Sequence, residues 1–115
     1  MLPLTDDTLW AILNDELDDD TVNRLVWAGL GYRETPEGWD SSAVAPHWAE
    51  KFPEPPNFID SRPATVQLTR SIPPEDKQLL KEELGFKGYT VDQLIPRLTR
   101  RATMVSWLLS YRKQN

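Results

Sequence analysis

The prolines in the middle of this sequence constrain its fold more than any other feature. Most of the ten prolines lie between residues 32 and 74. A proline inside a helix removes a backbone hydrogen bond and clashes with the preceding turn, so no long helix can cross this region. The prolines concerned are Pro36, Pro46, Pro53, Pro55, Pro56, Pro63, Pro73 and Pro74.

The segment that holds most of these prolines, residues 32–72, is nevertheless too apolar to be a flexible linker. Several large aromatic side chains occur in it, and a contiguous apolar surface of that size is unfavourable in water. Four of these side chains are our candidates for contact with a partner protein: Trp39, Trp48, Phe52 and Phe58. We predict that the segment is an ordered strap laid over the core.

Two local structures are predicted within the strap. A short helix starts at Pro46, because proline suits the first turn of a helix. Residues 64–70, "ATVQLTR", alternate polar and apolar side chains and are rich in β-branched residues, which is typical of a strand. Ser61 and Pro63 are equally suited to start a helical turn, so both interpretations of residues 64–70 stay open.

Helical periodicity is clear on the amino-terminal side of the strap, over residues 5–31. Thr5 is a suitable N-cap, and the acids that follow it suit the positive end of the helix dipole. The first helix is therefore predicted over residues 6–14. A second helix follows the aspartates at 18–20, and glycines are available to end it near residue 31.

The carboxyl-terminal side, residues 73–113, is predicted to be helical as well. One helix starts at a pair of prolines and stops at Gly85, and a T-x-x-Q capping box at Thr90 opens a short helix. The final helix, from about Arg97 to Arg112, is apolar over more than half of its circumference. The predicted fold is mainly α: a compact single domain over residues 1–115, with a bundle of four to six short helices, the ordered strap and at most one short strand.

Composition supports one small core and narrows the environment. A chain of 115 residues with 39% hydrophobic residues has material for a single core. The chain has no cysteine, so disulfides and thiolate metal sites are excluded. A net charge of −5 disfavours nonspecific binding to nucleic acid and to anionic membranes. We expect a soluble, cytoplasmic protein without a membrane span or a secretory signal.

Charge is distributed very unevenly along the sequence. Residues 1–60 carry thirteen acids against three bases, a net charge of −10, whereas residues 61–115 carry five acids against ten bases, a net charge of +5. Two halves of opposite sign in one small domain should attract each other. We therefore expect internal ion pairs between them.

Three arginines at the start of the final helix are the most informative cations. Arg97, Arg100 and Arg101 lie where the helix dipole disfavours positive charge, so carboxylates should be close to them. The acids at 15–20, with Glu82 and Glu83, are the predicted partners. The alternative is that the three arginines form an external site for a phosphate or for stacked bases.

A second motif has the outline of a helix-turn-helix. Within residues 75–98, the string "KEELGFKGYTVDQL" places a glycine turn between two apolar helical segments. Lys81 occupies a position where that motif usually has a small residue, and Asp92 lies on the predicted recognition helix. A helical hairpin explains the same residues, so we expect no nucleic-acid binding and keep it as the alternative function.

Catalytic chemistry has little support in the sequence. His47 is the only histidine, and no nucleophile motif or phosphate-binding glycine loop is present. We predict a protein that is not an enzyme, with no catalytic residue, no metal and no cofactor.

Three strings carry a resemblance to a known family: "LTDDTLWAILNDELDDDTVNRLVWAGLGYR", "SRPATVQLTRSIPPEDKQLLKEELGFKGY" and "TRRATMVSWLLSY". The chain resembles a family of small proteins from cyanobacteria and plastids that is described as a domain of unknown function. The resemblance implies a location in the cytoplasm or stroma of a photosynthetic cell, and it implies no site residues.

The leading hypothesis from the sequence is a protein-interaction or accessory domain. The aromatic strap and the final helix are the surfaces on which it depends, since aromatic and arginine side chains are enriched at protein interfaces. The candidate binding residues are Trp39, Trp48, Phe52, Phe58, Arg97, Arg100 and Arg101.

Overall fold

Six α-helices and one β-hairpin make up most of the regular structure in the computed structural model, which describes residues 2–115. The helices are α1 (Asp6–Leu13), α2 (Asp19–Leu30), α3 (Pro46–Lys51), α4 (Arg62–Ser71), α5 (Leu79–Leu84) and α6 (Pro96–Gln114). The hairpin pairs β1 (Arg33–Thr35) with β2 (Gly38–Asp40) in antiparallel register, with Glu34 opposite Trp39. The predicted mainly α fold is confirmed.

The first two helices begin and end where local chemistry places them. The Thr5 hydroxyl accepts a hydrogen bond from the Thr8 backbone N–H at 3.3 Å, and the Asp18 carboxylate accepts one from the Thr21 N–H at 2.7 Å. Helix α2 ends at Gly31, which has a φ of +109°. A Cβ atom on Gly31 would lie 2.7 Å from the Ala43 carbonyl oxygen, so this C-cap requires glycine.

Residues 64–70, for which a strand and a helix were both considered, form part of helix α4. The Ser61 hydroxyl accepts a hydrogen bond from the Ala64 N–H at 3.3 Å, and Pro63 lies in the first turn. Ala64, Thr65 and Leu68 are buried, which is a helical spacing and not an alternating one. The strand interpretation is therefore wrong, and the strands of the structure lie in the hairpin instead.

Helix α6 lies at the centre of the molecule and contacts α1, α2, α4 and α5. Met104, Val105, Leu108 and Leu109 are buried in the core, in agreement with a helix that is apolar over more than half of its circumference. Pro96 is the first residue of this helix, a position where its missing N–H removes no helical hydrogen bond. Within residues 2–115, no helix is long and apolar enough to cross a bilayer.

The two segments before α6 are more tightly wound than predicted. The prolines at 73 and 74 start a 3-10 turn, Pro74–Asp76, that precedes α5. The capping box between Thr90 and Gln93 is present, but it closes only a 3-10 turn, Val91–Gln93, where a short helix was predicted. Val91 on this turn, and Leu94 and Ile95 between the turn and α6, are exposed apolar side chains.

Candidate functional site

Arg97 forms the internal ion pairs that the charge pattern predicts. Its two terminal nitrogens donate to the two carboxylate oxygens of Asp15 at 2.8 and 2.7 Å, which is a bidentate contact. Its Nε and Nη2 donate to Asp19 at 3.2 and 2.9 Å. The hydrogen bond from Arg97 holds the pKa of the Asp15 carboxyl below its ordinary value.

Arg101 lies one helical turn further along and is fully buried. Its Nη1 donates to Asp19 at 2.8 Å, and its Nη2 donates to the carbonyl oxygens of Ile12 at 3.1 Å and Leu17 at 2.6 Å. These carbonyls lie at the end of α1 and in the loop that follows, and the Ile12 carbonyl also accepts a hydrogen bond from the Asp15 backbone N–H at 3.2 Å. Arg97, Arg101, Asp15 and Asp19 together form what we call the arginine–aspartate corner.

Arg100 is the exception among the three arginines. Its Nη1 donates to the Ile59 carbonyl oxygen at 2.8 Å, and none of the ion pairs among residues 2–115 includes Arg100. The prediction that a carboxylate neutralises Arg100 is wrong, and so is the prediction that Glu82 or Glu83 pairs with these arginines. The reason is rotation about the helix: one residue corresponds to about 100°, so Arg100 faces α4 while Arg101 faces α1.

The four aromatic candidates of the strap divide into two groups. Trp48 and Phe58 belong to the core and present almost no surface; their rings meet edge to face with centroids 5.9 Å apart. Phe52 and Trp39 are half-buried, and Trp39 contacts the ring of Trp27 at 5.4 Å between centroids. These contacts attach the strap to the core.

A group of cations that the sequence interpretation missed lies along the outer face of α4. The group comprises Lys51, Arg62, Arg70 and Arg100, and we call it the cationic face. Lys51, Arg62 and Arg70 border a groove of about 400 Å³ between α3 and α4. Arg62 and Arg100 border a second groove of about 360 Å³ between α4 and α6. Across the part of the chain that the structure describes, no member forms an ion pair with a carboxylate.

Two positions on the cationic face are electrostatically unfavourable for the isolated chain. Arg62 is the first residue of α4, and Arg100 lies in the first turns of α6. The amino-terminal end of a helix carries a partial positive charge, which disfavours cations there. At the arginine–aspartate corner two aspartates pair with the arginines, whereas among residues 2–115 no carboxylate forms an ion pair with Arg62 or Arg100.

Exposed apolar side chains adjoin the second groove on residues 91–95, which comprise the 3-10 turn and the two residues after it and which we call the apolar turn. Val91 is 84% exposed, Leu94 59% and Ile95 47%. Leu94 lines the groove between α4 and α6 together with Val66, which also borders the first groove. The cationic face therefore has apolar surface both at its middle and at one edge.

The same region corrects the helix-turn-helix interpretation of residues 75–98. The first helix of that outline, α5, has six residues, and the second is the 3-10 turn Val91–Gln93. A turn of three residues cannot supply the recognition helix that enters a DNA groove. The glycine turn and the capping box are real, but they join α5 to α6 without forming the motif.

One sequence signal could have identified the cationic face. Arg62, Val66 and Arg70 are spaced by four residues, which places them on one side of a helix. That signal has meaning only if residues 64–70 are helical, and this was the point that the pattern left open. The contributions of Lys51 and Arg100 come from α3 and α6, so they depend on tertiary structure.

The fold and this site define a small mainly α domain with an exposed cationic surface. The chain belongs to the family described as "Domain of unknown function (DUF1823)", whose model matches residues 3–113. Among solved structures, it is similar to a protein determined by solution NMR, with 58% sequence identity and a TM-score of 0.83; the match covers 99% of this chain and 97% of that chain. The search of curated proteins gave no match.

Proposed function

We propose that this protein is a non-enzymatic protein-interaction domain of a photosynthetic cell, acting in the cytoplasm or stroma, and that it binds its partner through the cationic face. The observation that supports this proposal is the convergence of Lys51, Arg62, Arg70 and Arg100 on one face, where they have no carboxylate partner among the described residues 2–115. Arginine is enriched at protein interfaces, where it contributes both charge and contact area.

The surroundings of the cations favour a protein partner over a nucleic acid. Val66 and Leu94 give the grooves an apolar component, and surfaces that bind nucleic-acid backbones are dominated by charge. The net charge of −5 also opposes approach of a polyanion from a distance. Nucleic-acid binding through the same cations is the second candidate function. It is favoured because, among residues 2–115, these cations form no ion pair with a carboxylate and could bind phosphates instead.

The test is affinity capture from an extract of a photosynthetic cell, using the wild-type chain and two matched double variants. Arg62→Gln/Arg70→Gln removes two charges from the cationic face, whereas Lys81→Gln/Lys87→Gln removes two exposed charges elsewhere. We expect a protein that wild type and the second variant retain and the first variant loses. Equal capture by all three chains would contradict the proposal, and capture that nuclease treatment abolishes would support the second candidate.

A further inference from the structure

We infer that the partner segment seated on the cationic face is acidic and carries one apolar side chain beside its carboxylates. This inference rests on the proposed function and adds the chemistry of the partner. Charge complementarity carries it: four cations border two adjoining grooves, and Arg62 and Val66 are shared by both. A segment with carboxylate groups supplies the ion pairs that these four cations do not form within residues 2–115.

The spacing of the two arginines on α4 defines the spacing of the carboxylates in the partner segment. Arg62 and Arg70 are eight residues apart in one helix, which corresponds to roughly 12 Å along its axis. An extended chain rises about 3.3 Å per residue, so two carboxylates about four residues apart match this separation. Val66 lies midway between the two arginines, where the aliphatic part of the segment would pass.

The contacts of α6 show at which end of α4 the apolar turn lies. Arg100 donates to the Ile59 carbonyl just before α4, and Ser110 donates to Asp76 just beyond α4. Helices α4 and α6 therefore run in the same direction, and Leu94, which precedes α6, lies at the Arg62 end. The apolar side chain of the partner is accordingly placed beyond the carboxylate that meets Arg62.

The charges near this apolar turn agree with that arrangement. Asp92 is exposed on the same turn as Leu94, and it disfavours a second carboxylate there because like charges repel. Val91 and Ile95 beside it are exposed apolar side chains. An apolar residue of the partner, and not an acidic one, is therefore favoured at this end of the groove.

Two other occupants fit the observations less well. A phosphodiester backbone would meet the cations but would leave Leu94 and Val66 without an apolar contact. A second copy of this chain has its most concentrated acids near residues 15–20, and Asp15 and Asp19 already bind Arg97 and Arg101. An acidic segment with an apolar residue uses both properties of the surface.

The experiment is an NMR titration of the full chain with a synthetic peptide that carries glutamates at positions i and i+4 and a leucine beyond one of them. The matched probes are the same peptide with glutamine for glutamate, the same peptide with serine for leucine, and a single-stranded oligonucleotide of equal charge. We expect shifts confined to Lys51, residues 62–70 and residues 94–103, at least tenfold weaker binding of the glutamine peptide and weaker binding of the serine peptide. Arg62→Gln/Arg70→Gln should lose the shifts, and Lys81→Gln/Lys87→Gln should keep them.

Several results would overturn the inference: equal binding of the glutamate and glutamine peptides, tighter binding of the oligonucleotide to the same residues, or shifts there that depend on the concentration of the chain alone. Failure of the inference can be separated from failure of the proposed function. If no acidic peptide binds while capture from the extract still depends on Arg62 and Arg70, the protein-interaction proposal stands and the acidic chemistry is wrong. If capture is also independent of these arginines, the proposed function is wrong as well.

Discussion

Arg101 and Arg62 stand near the starts of two helices of one small domain, but their surroundings are opposite. Arg101 is fully buried and donates to Asp19 and to two backbone carbonyls. Arg62 is exposed on the cationic face and pairs with no carboxylate in residues 2–115. The helix dipole disfavours Arg62 at the start of α4, and among residues 2–115 only Arg101 of these two has a carboxylate partner. The comparison separates arginines that hold the fold from arginines that are free to bind another molecule.

The two regions also differ in what a substitution would remove. At the arginine–aspartate corner, each side chain satisfies buried or partly buried polar groups, so its loss leaves them without partners. At the cationic face, each side chain except Arg100 contacts mainly water. Stability should therefore respond to changes at the corner, and binding should respond to changes at the face.

The largest effect is expected for Arg101→Met, which keeps much of the volume and removes the charge. The Leu17 carbonyl would lose the hydrogen bond from Arg101, the Ile12 carbonyl would keep only its backbone donors, and Asp19 would keep only Arg97. Each hydrogen bond from a charged donor contributes about 1.5 to 3 kcal/mol, so the loss of the set should cost at least about 3 kcal/mol, and urea unfolding would measure it. Arg100→Met on the same helix is the matched control, with an expected cost of about 1 kcal/mol. Equal losses in the two variants would remove the distinction between the regions.

A smaller effect is expected for Asp19→Asn, since Asp19 accepts hydrogen bonds from both Arg97 and Arg101. Weakening two charge-assisted hydrogen bonds should lower the free energy of unfolding by about 1 to 3 kcal/mol. The neighbouring Asp20→Asn is the control, because Asp20 pairs only with exposed Arg24, and such surface pairs contribute about 0 to 1 kcal/mol. If the control loses more than Asp19→Asn, the corner does not stabilise the fold as described.

Acid should lower the free energy of unfolding in a defined pH range, through Asp15 at the corner and through Asp76 near the end of α6. The hydrogen bond from Arg97 lowers the pKa of Asp15 from its ordinary 3.8, and contacts with Lys113 and Ser110 lower the pKa of Asp76. When the pKa of a carboxyl is lower in the folded state, the unfolded state takes up the proton at a higher pH than the folded state does. The contribution of the carboxyl is therefore complete above the ordinary pKa and is lost as pH falls through the folded value. Urea unfolding between about pH 5 and pH 2 should show stability falling toward acid, and Asp15→Asn should reduce this slope. A stability that rises toward acid would contradict the prediction.

The smallest effects, and of opposite sign, are expected at the two ends of α4. Arg62→Glu replaces a cation with an anion at the amino-terminal end and should raise the free energy of unfolding by about 0.3 to 1 kcal/mol. Arg70→Glu makes the same exchange in the last turn and should lower it by a similar amount. Both variants should lose the acidic partner. Thermal unfolding should show opposite changes in stability for the two variants, and peptide titration should show the same loss of binding for both. Equal changes in stability for the two variants would contradict the prediction.

Much of the fold could be predicted because its helix ends depend on neighbouring residues. Thr5, Asp18, Gly31 and Gly85 cap helices as their side chains or positive φ values require. The pairing of Arg97 with the acidic half of the chain could be predicted from charge alone. Opposite charges in one small domain attract each other regardless of the details of the fold.

The rest of the fold and site could not be predicted because it depends on which surfaces meet. The β-branched residues of 64–70 suit a strand, and burial of Ala64, Thr65 and Leu68 against the core stabilises the helix instead. Arg100 and Arg101 are adjacent in sequence, and only the positions of α1 and α4 around α6 decide which one is paired. The cationic face combines three helices, so it could not be recognised before their arrangement was known.

The most direct test of the difference between the two regions is an NMR measurement of arginine side-chain order in the free protein. The Nε–H groups of Arg97 and Arg101 donate to Asp19 and to the Ile12 carbonyl, so they should be rigid and exchange slowly with water. Those of Arg62 and Arg70 should be mobile, and they should become ordered when the acidic peptide is added. Arg62 and Arg70 as rigid as Arg101 in the absence of any partner would contradict the account.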